Sequence, residues 1–277
     1  MDDQIQELKR RELELFRLFI QVCEKLDLRY YVVGGTLLGA VRHRGFIPWD
    51  DDIDVGLPRA DYDRFVQQAQ ALLPDWCFLQ NYHTDPAYPY LFSKLRDSRT
   101  TFIETALKDY PINHGLYIDV FPIEYVPEQG YRRFERQNFL LKIRANYGLN
   151  VKPSFKIRVL QRLTLLRWPR LQDALEQREA LFRSVGRTGL MANLCGAWGK
   201  REIVPTAYFG EGTPLSFAGQ TVIGPSDYDA YLRNVYGDYM QLPPPEKQVG
   251  HHACEVIDLE KPYTVYWTKM EKENAQP

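Results

Sequence analysis

Along the first stretch of the chain, Leu8, Leu15, Leu18, Phe19, Val22 and Leu26 recur at helical spacing with charges between them, which predicts an amphipathic helix over 5–26. A short β-rich run, 30–33, follows and ends at Gly34-Gly35. Thr36 reads as the N-cap of a helix running to about Arg44, because its hydroxyl can accept an orphan backbone N–H. Gly45 and Pro48 break that helix, and 53–57 reads as a buried strand with acidic residues at its start and Pro58 at its close. Helical periodicity returns over 60–73, and 76–79, 90–96, 100–104 and 116–126 read as four further strands. From 131 to about 198 helical stretches dominate. Residues 215–218 and 220–223, split by Gly219, predict a hairpin, and 227–236 a last helix before Pro243-Pro244-Pro245, which cannot be helix interior.

That order fits α/β or α+β, and we take the fold class as α+β: a mixed sheet with flanking helices and a helical, basic insertion. Composition divides the chain at 1–128, 129–200 and 201–277. The boundary near 128 is a shift in composition rather than a linker, so the middle region is not expected to fold alone.

The length of 277 residues exceeds the roughly 100 to 200 of an ordinary domain, and 44% apolar with 26% charged residues is enough for a proper core. The net charge of −1 conceals two opposed blocks. Residues 46–63 hold six Asp against one Arg, net −5, whereas 131–170 hold eleven Lys and Arg against Glu135 alone, net +10. The opening MDDQIQELKRRELELF lacks the apolar centre of a signal peptide, and no run approaches the ~18 apolar residues of a membrane span. Cys23, Cys77, Cys195 and Cys254 lie far apart without a C-x-x-C pair, which argues against a zinc site or a disulfide framework. A reducing cytoplasm is the expected compartment.

The sharpest chemical feature is Gly34-Gly35 followed, one helix later, by Trp49-Asp50-Asp51-Asp52-Ile53-Asp54-Val55. Alternation along an extended strand would put Asp50, Asp52 and Asp54 on one side and send Ile53 and Val55 into the core. Carboxylates that close repel unless a cation lies between them, and Mg²⁺ or Mn²⁺ suits carboxylate with phosphate. A Gly-Gly turn at a helix start lets backbone N–H groups approach a phosphate. Each motif has a plainer reading alone, a solvated or calcium-stabilised acidic loop and a simple turn; together they imply phosphoryl chemistry. Asp119, inside the apolar strand, is either paired internally or functional. Lys94 and Arg96 share a strand face, where they hold a diphosphate or form surface salt bridges. Arg42, His43 and Arg44 suit the C-terminus of the first short helix. His251 and His252 assist an acceptor, contact phosphate, or sit in a surface loop.

Residues 34–56, GGTLLGAVRHRGFIPWDDDIDVG, closely resemble the signature of the LicD family, phosphocholine transferases of bacterial surface glycans related to fukutin and fukutin-related protein, which transfer ribitol phosphate. Lys94-Leu95-Arg96-Asp97, Gly115 through Pro122, Tyr236 through Met240 with Pro243, and His251-His252 extend the match, which covers roughly 15–126 and 205–252. The resemblance implies a nucleotidyltransferase-like core in 1–128. It also implies a metal pair at Asp52 and Asp54 assisted by Asp50, with Asp119 as third carboxylate and as acceptor of the attacking hydroxyl's proton. Gly34, Gly35 and Thr36 would hold phosphate, joined by Arg42, Lys94 and Arg96, and Trp49 would face choline. The implied donor is CDP-linked, CDP-choline first, and the acceptor is a hydroxyl of a surface glycan or its lipid-linked precursor, as in lipopolysaccharide or teichoic acid synthesis. Two rivals stand beside it: NMP transfer to a small molecule with pyrophosphate release, and a non-catalytic membrane-surface assembly factor.

Residues 154–170, SFKIRVLQRLTLLRWPR, set Phe155, Ile157, Leu160, Leu163, Leu166 and Trp168 among five Lys and Arg with no acid. Two readings remain open: a helix packed on the core with its cationic stems at the margin, or an interfacial helix on anionic lipid that leaves the protein peripheral at the inner membrane face. No nucleic-acid fold signature accompanies the basic block, so no nucleic-acid partner is expected.

Overall fold

Helix α1 (Asp2–Leu26) turns Leu15, Phe16, Phe19 and Val22 inward, the spacing of a helix laid across a sheet. The computed structural model describes residues 2–248, 250 and 253–267. After α1 come β1 (Tyr31–Val32), α2 (Gly34–His43), β2 (Asp54–Pro58), α3 (Arg59–Gln68), β3 (Cys77–Gln80), β4 (Ser93–Asp97), β5 (Thr101–Glu104) and β6 (Leu116–Tyr125). Three helices follow, α4 (Tyr131–Ala145), α5 (Phe155–Arg167) and α6 (Leu171–Arg183), then β7 (Leu190–Ala192), β8 (Val204–Pro205), β9 (Thr213–Phe217), β10 (Gln220–Gly224), α7 (Tyr228–Tyr236) and β11 (Cys254–Asp258).

The main sheet runs β1-β2-β6-β4-β3, with β7 paired to β6 and β8 to β7. Only the β2–β6 pair in it is parallel, which makes the protein a mixed α+β structure. Strand β6 is its spine. Its ten residues are buried at every position but the last, so it accepts a neighbour on each edge. The turn from β9 to β10 is Ala218-Gly219, both at positive φ, the backbone a two-residue hairpin requires.

Helices α4 and α6 are attached to this sheet rather than separate from it. Phe134, Leu175 and Phe182 share an apolar cluster with Tyr82 and Leu91. Arg59 at the start of α3 pairs with Glu124 of β6 and Glu179 of α6, while Arg183 pairs with Asp63. No helix among the described residues is long and apolar enough to cross a membrane. Nor do the four cysteines form a disulfide.

Several local expectations change. Helix α2 begins at Gly34 with Val33 at its N-cap and no side-chain cap, so Thr36 lies in the first turn and does not cap it. Its Oγ1 instead accepts the N–H of Asp54 at 2.8 Å. Strand β2 starts only at Asp54, so residues 50–53 form an irregular loop and not an alternating strand face. The expected helix over 60–73 ends at Gln68 and continues as a 3₁₀ turn, Ala69–Leu72. Likewise the strand expected over 90–96 starts only at Ser93.

Candidate active site in an acidic cavity

Strand β2 returns antiparallel beside β1, which brings Asp54 against the first turn of α2. A Cβ built on Gly34 would fall onto Oδ2 of Asp54, and one on Gly35 onto Oδ2 of Asp50, both far inside van der Waals contact. Gly34 also has φ +55. The two carboxylate ends thus occupy the volume that a side chain would fill, so a larger residue at either position would have to displace them, and the positive φ favours glycine at position 34 in addition. Parallel pairing of β2 with β6 then sets Asp54 opposite Asp119. In the loop above, carboxylate oxygens of Asp50, Asp51 and Asp52 lie within 4.8 Å of one another. Asp50, Asp52, Asp54 and Asp119 all line one cavity of about 1070 Å³.

Burial, then the neighbouring Asp52, Asp119 and Asp50, push the Asp54 carboxyl well above the usual carboxylate range. Glu12, reaching the same loop from α1, is raised by burial and then by Asp52 and Asp51. Glu202 is pushed up to about 7 by burial, against a lowering hydrogen bond from Tyr231. Local cations answer part of this charge. Lys94 Nζ stands 3.0 Å from Asp119 Oδ1 and 3.4 Å from Glu104, whereas Lys9 Nζ donates to the carbonyls of Ile47 and Pro48. Desolvated carboxylates that raise one another's pKa gain most from a divalent cation with oxygen ligands. Asp50, Asp51 and Asp52 qualify as ligands by proximity, and Asp54 with Asp119 by register.

The other expected residues divide. Arg42 lines the cavity, donates to the carbonyl of Tyr239 at 2.7 Å and to Nε2 of His43 at 2.9 Å, and so ties the 236–240 motif to α2. Burial, then Arg42, holds His43 below its ordinary value. Trp49 also lines the cavity, edge-on to His43. Lys94 and Arg96 are not a surface pair: their side chains are 2% and 0% exposed. Arg96 donates to Gln80 Oε1 at 2.6 Å, Gly115 O at 2.7 Å and Glu104 Oε2 at 3.2 Å, and it does not line the cavity. It braces the sheet from inside. His251 and His252 lie outside the described residues.

Sequence reasoning missed an aromatic wall and a buried acid. Tyr90 and Phe92 stack at 5.1 Å, and Phe92 meets Phe121 at 4.6 Å, all three lining the cavity. Placing 90–96 in one strand hid them. Glu202, with Trp198 and Tyr236, forms another part of the lining, and Tyr231 donates to Glu202 at 2.9 Å. Tyr236 belongs to a motif already quoted, but Glu202 comes from a 3₁₀ turn with no spacing pattern.

Residues 27–144 match the family described as LicD/FKTN/FKRP, nucleotidyltransferase domain. The lipopolysaccharide cholinephosphotransferase LicD of Haemophilus influenzae is 29% identical over 265 residues, covering 89% of this chain and 95% of that protein. A shorter match, 48% identical over 44 residues, joins 16% of this chain to 9% of the human ribitol 5-phosphate transferase FKRP. An uncharacterized protein of Rickettsia typhi is 42% identical over 62 residues, 21% of this chain and 20% of that protein.

Proposed function

We propose that this chain, whose residues 27–144 match the LicD/FKTN/FKRP nucleotidyltransferase domain, is a metal-dependent phosphotransferase that moves phosphocholine, or another phospho-alcohol, from a CDP-linked donor to a glycan hydroxyl. The observation that carries this reading is the placement of Asp54 opposite Asp119 on parallel strands, with Asp50 and Asp52 in the same cavity, at the glycine-limited start of α2. The relative matched over most of the chain is a cholinephosphotransferase, and FKRP handles ribitol 5-phosphate, so the transferred group is a phospho-alcohol in both.

Asp50, Asp52, Asp54 and Asp119 are the residues that would hold Mg²⁺ or Mn²⁺, whose charge offsets that of the donor diphosphate. Backbone N–H groups of Gly34 and Gly35, at the positive end of α2, would meet phosphate oxygens. Asp119, held by Lys94, takes the proton of the acceptor hydroxyl as its oxygen bonds to the phosphorus bearing choline. The bond from that phosphorus to the bridging oxygen breaks, and CMP leaves. Tyr90, Phe92 and Phe121, with Trp49 also in the lining, give π faces for a quaternary ammonium. In this reading 1–128 is a nucleotidyltransferase-like catalytic core, while 129–200 and 201–277 complete the cavity. The acceptor is a cell-surface glycan or its lipid-linked precursor, met from the cytoplasmic side.

Product analysis tests the reaction class. CDP-choline with Mg²⁺ or Mn²⁺ and a glycan acceptor should yield CMP. Pyrophosphate from CTP or ATP, with CDP-choline untouched, would instead establish NMP transfer, and turnover of none would leave an assembly factor.

A further inference from the structure

Helix α5 carries apolar residues on every side and turns one group of them to solvent. Phe155, Val159, Leu163 and Leu166 are 77, 43, 56 and 84% exposed, while the buried residues are Gln161 and Thr164. Thr164 donates to Gln161 O at 2.8 Å, and Gln161 Nε2 donates to Asn146 O at 3.4 Å, so the polar pair is turned toward α4 and the turn that follows it. At ~100° per residue the four exposed apolar side chains fall within one arc of roughly 80°. Arg158 and Arg162 border that arc on one side, Lys156 and Arg167 on the other, and all four are exposed. No acid occurs from 154 to 170.

We propose that α5 is an interfacial helix that seats the protein on an anionic lipid surface. Phe155, Val159, Leu163 and Leu166 enter the acyl boundary, and the flanking cations meet lipid phosphate. Charge decides among occupants. A second copy would bring basic flanks against basic flanks with no acid to pair them, and a nucleic acid backbone would leave the apolar arc in contact with charge. Asn146, to which Gln161 bonds, lines the acidic cavity together with Lys142 and Leu149, so the docked face lies one layer from the cavity wall. Docking stands on the residues of α5 alone; its service to a lipid-linked acceptor rests on the transferase reading.

Flotation of the full chain with phosphatidylcholine vesicles, with and without phosphatidylglycerol, tests the proposal. The chain should float with the anionic vesicles at low salt, weakly with neutral ones, and less as salt rises. The double variant Leu163→Ser with Leu166→Ser should lower the bound fraction about tenfold or more, and Arg158→Gln with Arg162→Gln should remove the preference for anionic lipid. Because these side chains are exposed, melting temperature and CMP release from CDP-choline in solution should stay unchanged, which separates failure of docking from failure of the transferase. Absence of flotation on anionic vesicles, equal flotation of the serine variant, a dimer abolished by it, or RNA binding that survives it would each overturn the proposal.

Discussion

The acidic cavity and helix α5 both invert the ordinary arrangement of a soluble fold, in opposite directions. At the cavity, charged groups are inside: Asp54 and Glu202 are desolvated, and Asp54 is further raised by Asp52 and Asp119. On α5, apolar groups are outside and Gln161 and Thr164 are within. Each arrangement is costly on its own, and the proposed partners, a cation with its diphosphate in one case and a lipid surface in the other, would offset that cost. A third buried set shows what self-sufficiency looks like. Arg96 donates to Gln80, Gly115 O and Glu104 inside the sheet, so its charge is answered within the chain.

The contrast breaks first at Asp54. Asp54→Asn should lower phosphotransfer about 10³-fold or more, and yet raise the melting temperature in EDTA by a few degrees because a half-buried carboxylate beside like charges is gone. A fall in melting temperature would mean that Asp54 is satisfied internally, as Arg96 is. Arg96→Met tests the opposite pole: removing the donor to Gln80 Oε1, Gly115 O and Glu104, and leaving Glu104 to Lys94, should cost about 3–5 kcal/mol in urea unfolding, and a loss below ~1 kcal/mol would deny Arg96 its bracing role. The smallest effect concerns Glu202. An acid with a raised folded pKa keeps in the native state a proton that the unfolded chain has released. Its stabilising contribution is therefore full below 4.5 and lost as pH rises toward about 7. The difference between wild type and Glu202→Gln should change by up to about 3 kcal/mol over that window, measured by denaturation in EDTA; a pH-independent difference would place Glu202 in contact with solvent.

Much of the sheet and the acidic motif was legible because periodicity and punctuation are local properties. Strand β6 and the hairpin β9–β10 follow directly from apolar runs and Gly219. The partnership of Asp54 with Asp119 was not readable from spacing, since it depends on the parallel register of two strands distant in sequence. Strand alternation placed Lys94 and Arg96 on one face correctly, but alternation cannot say whether a face meets solvent or, as here, Glu104 and Gln80. Thr36 does not cap α2 because the N-cap falls three residues earlier, at Val33, so that the helix opens on the two glycines beside the carboxylates. For α5 the pattern predicted the helix but not its packed side. Apolar residues lie all around it, and only the tertiary contact of Gln161 with Asn146 selects the inner face.

The most direct test of the central claim is calorimetric titration of CDP-choline into the wild-type chain and Asp54→Asn, in Mn²⁺ and in EDTA. Binding that requires both Mn²⁺ and Asp54 is the predicted result. Equal binding in EDTA, or undiminished binding by Asp54→Asn in Mn²⁺, would contradict a metal-bridged diphosphate in the acidic cavity.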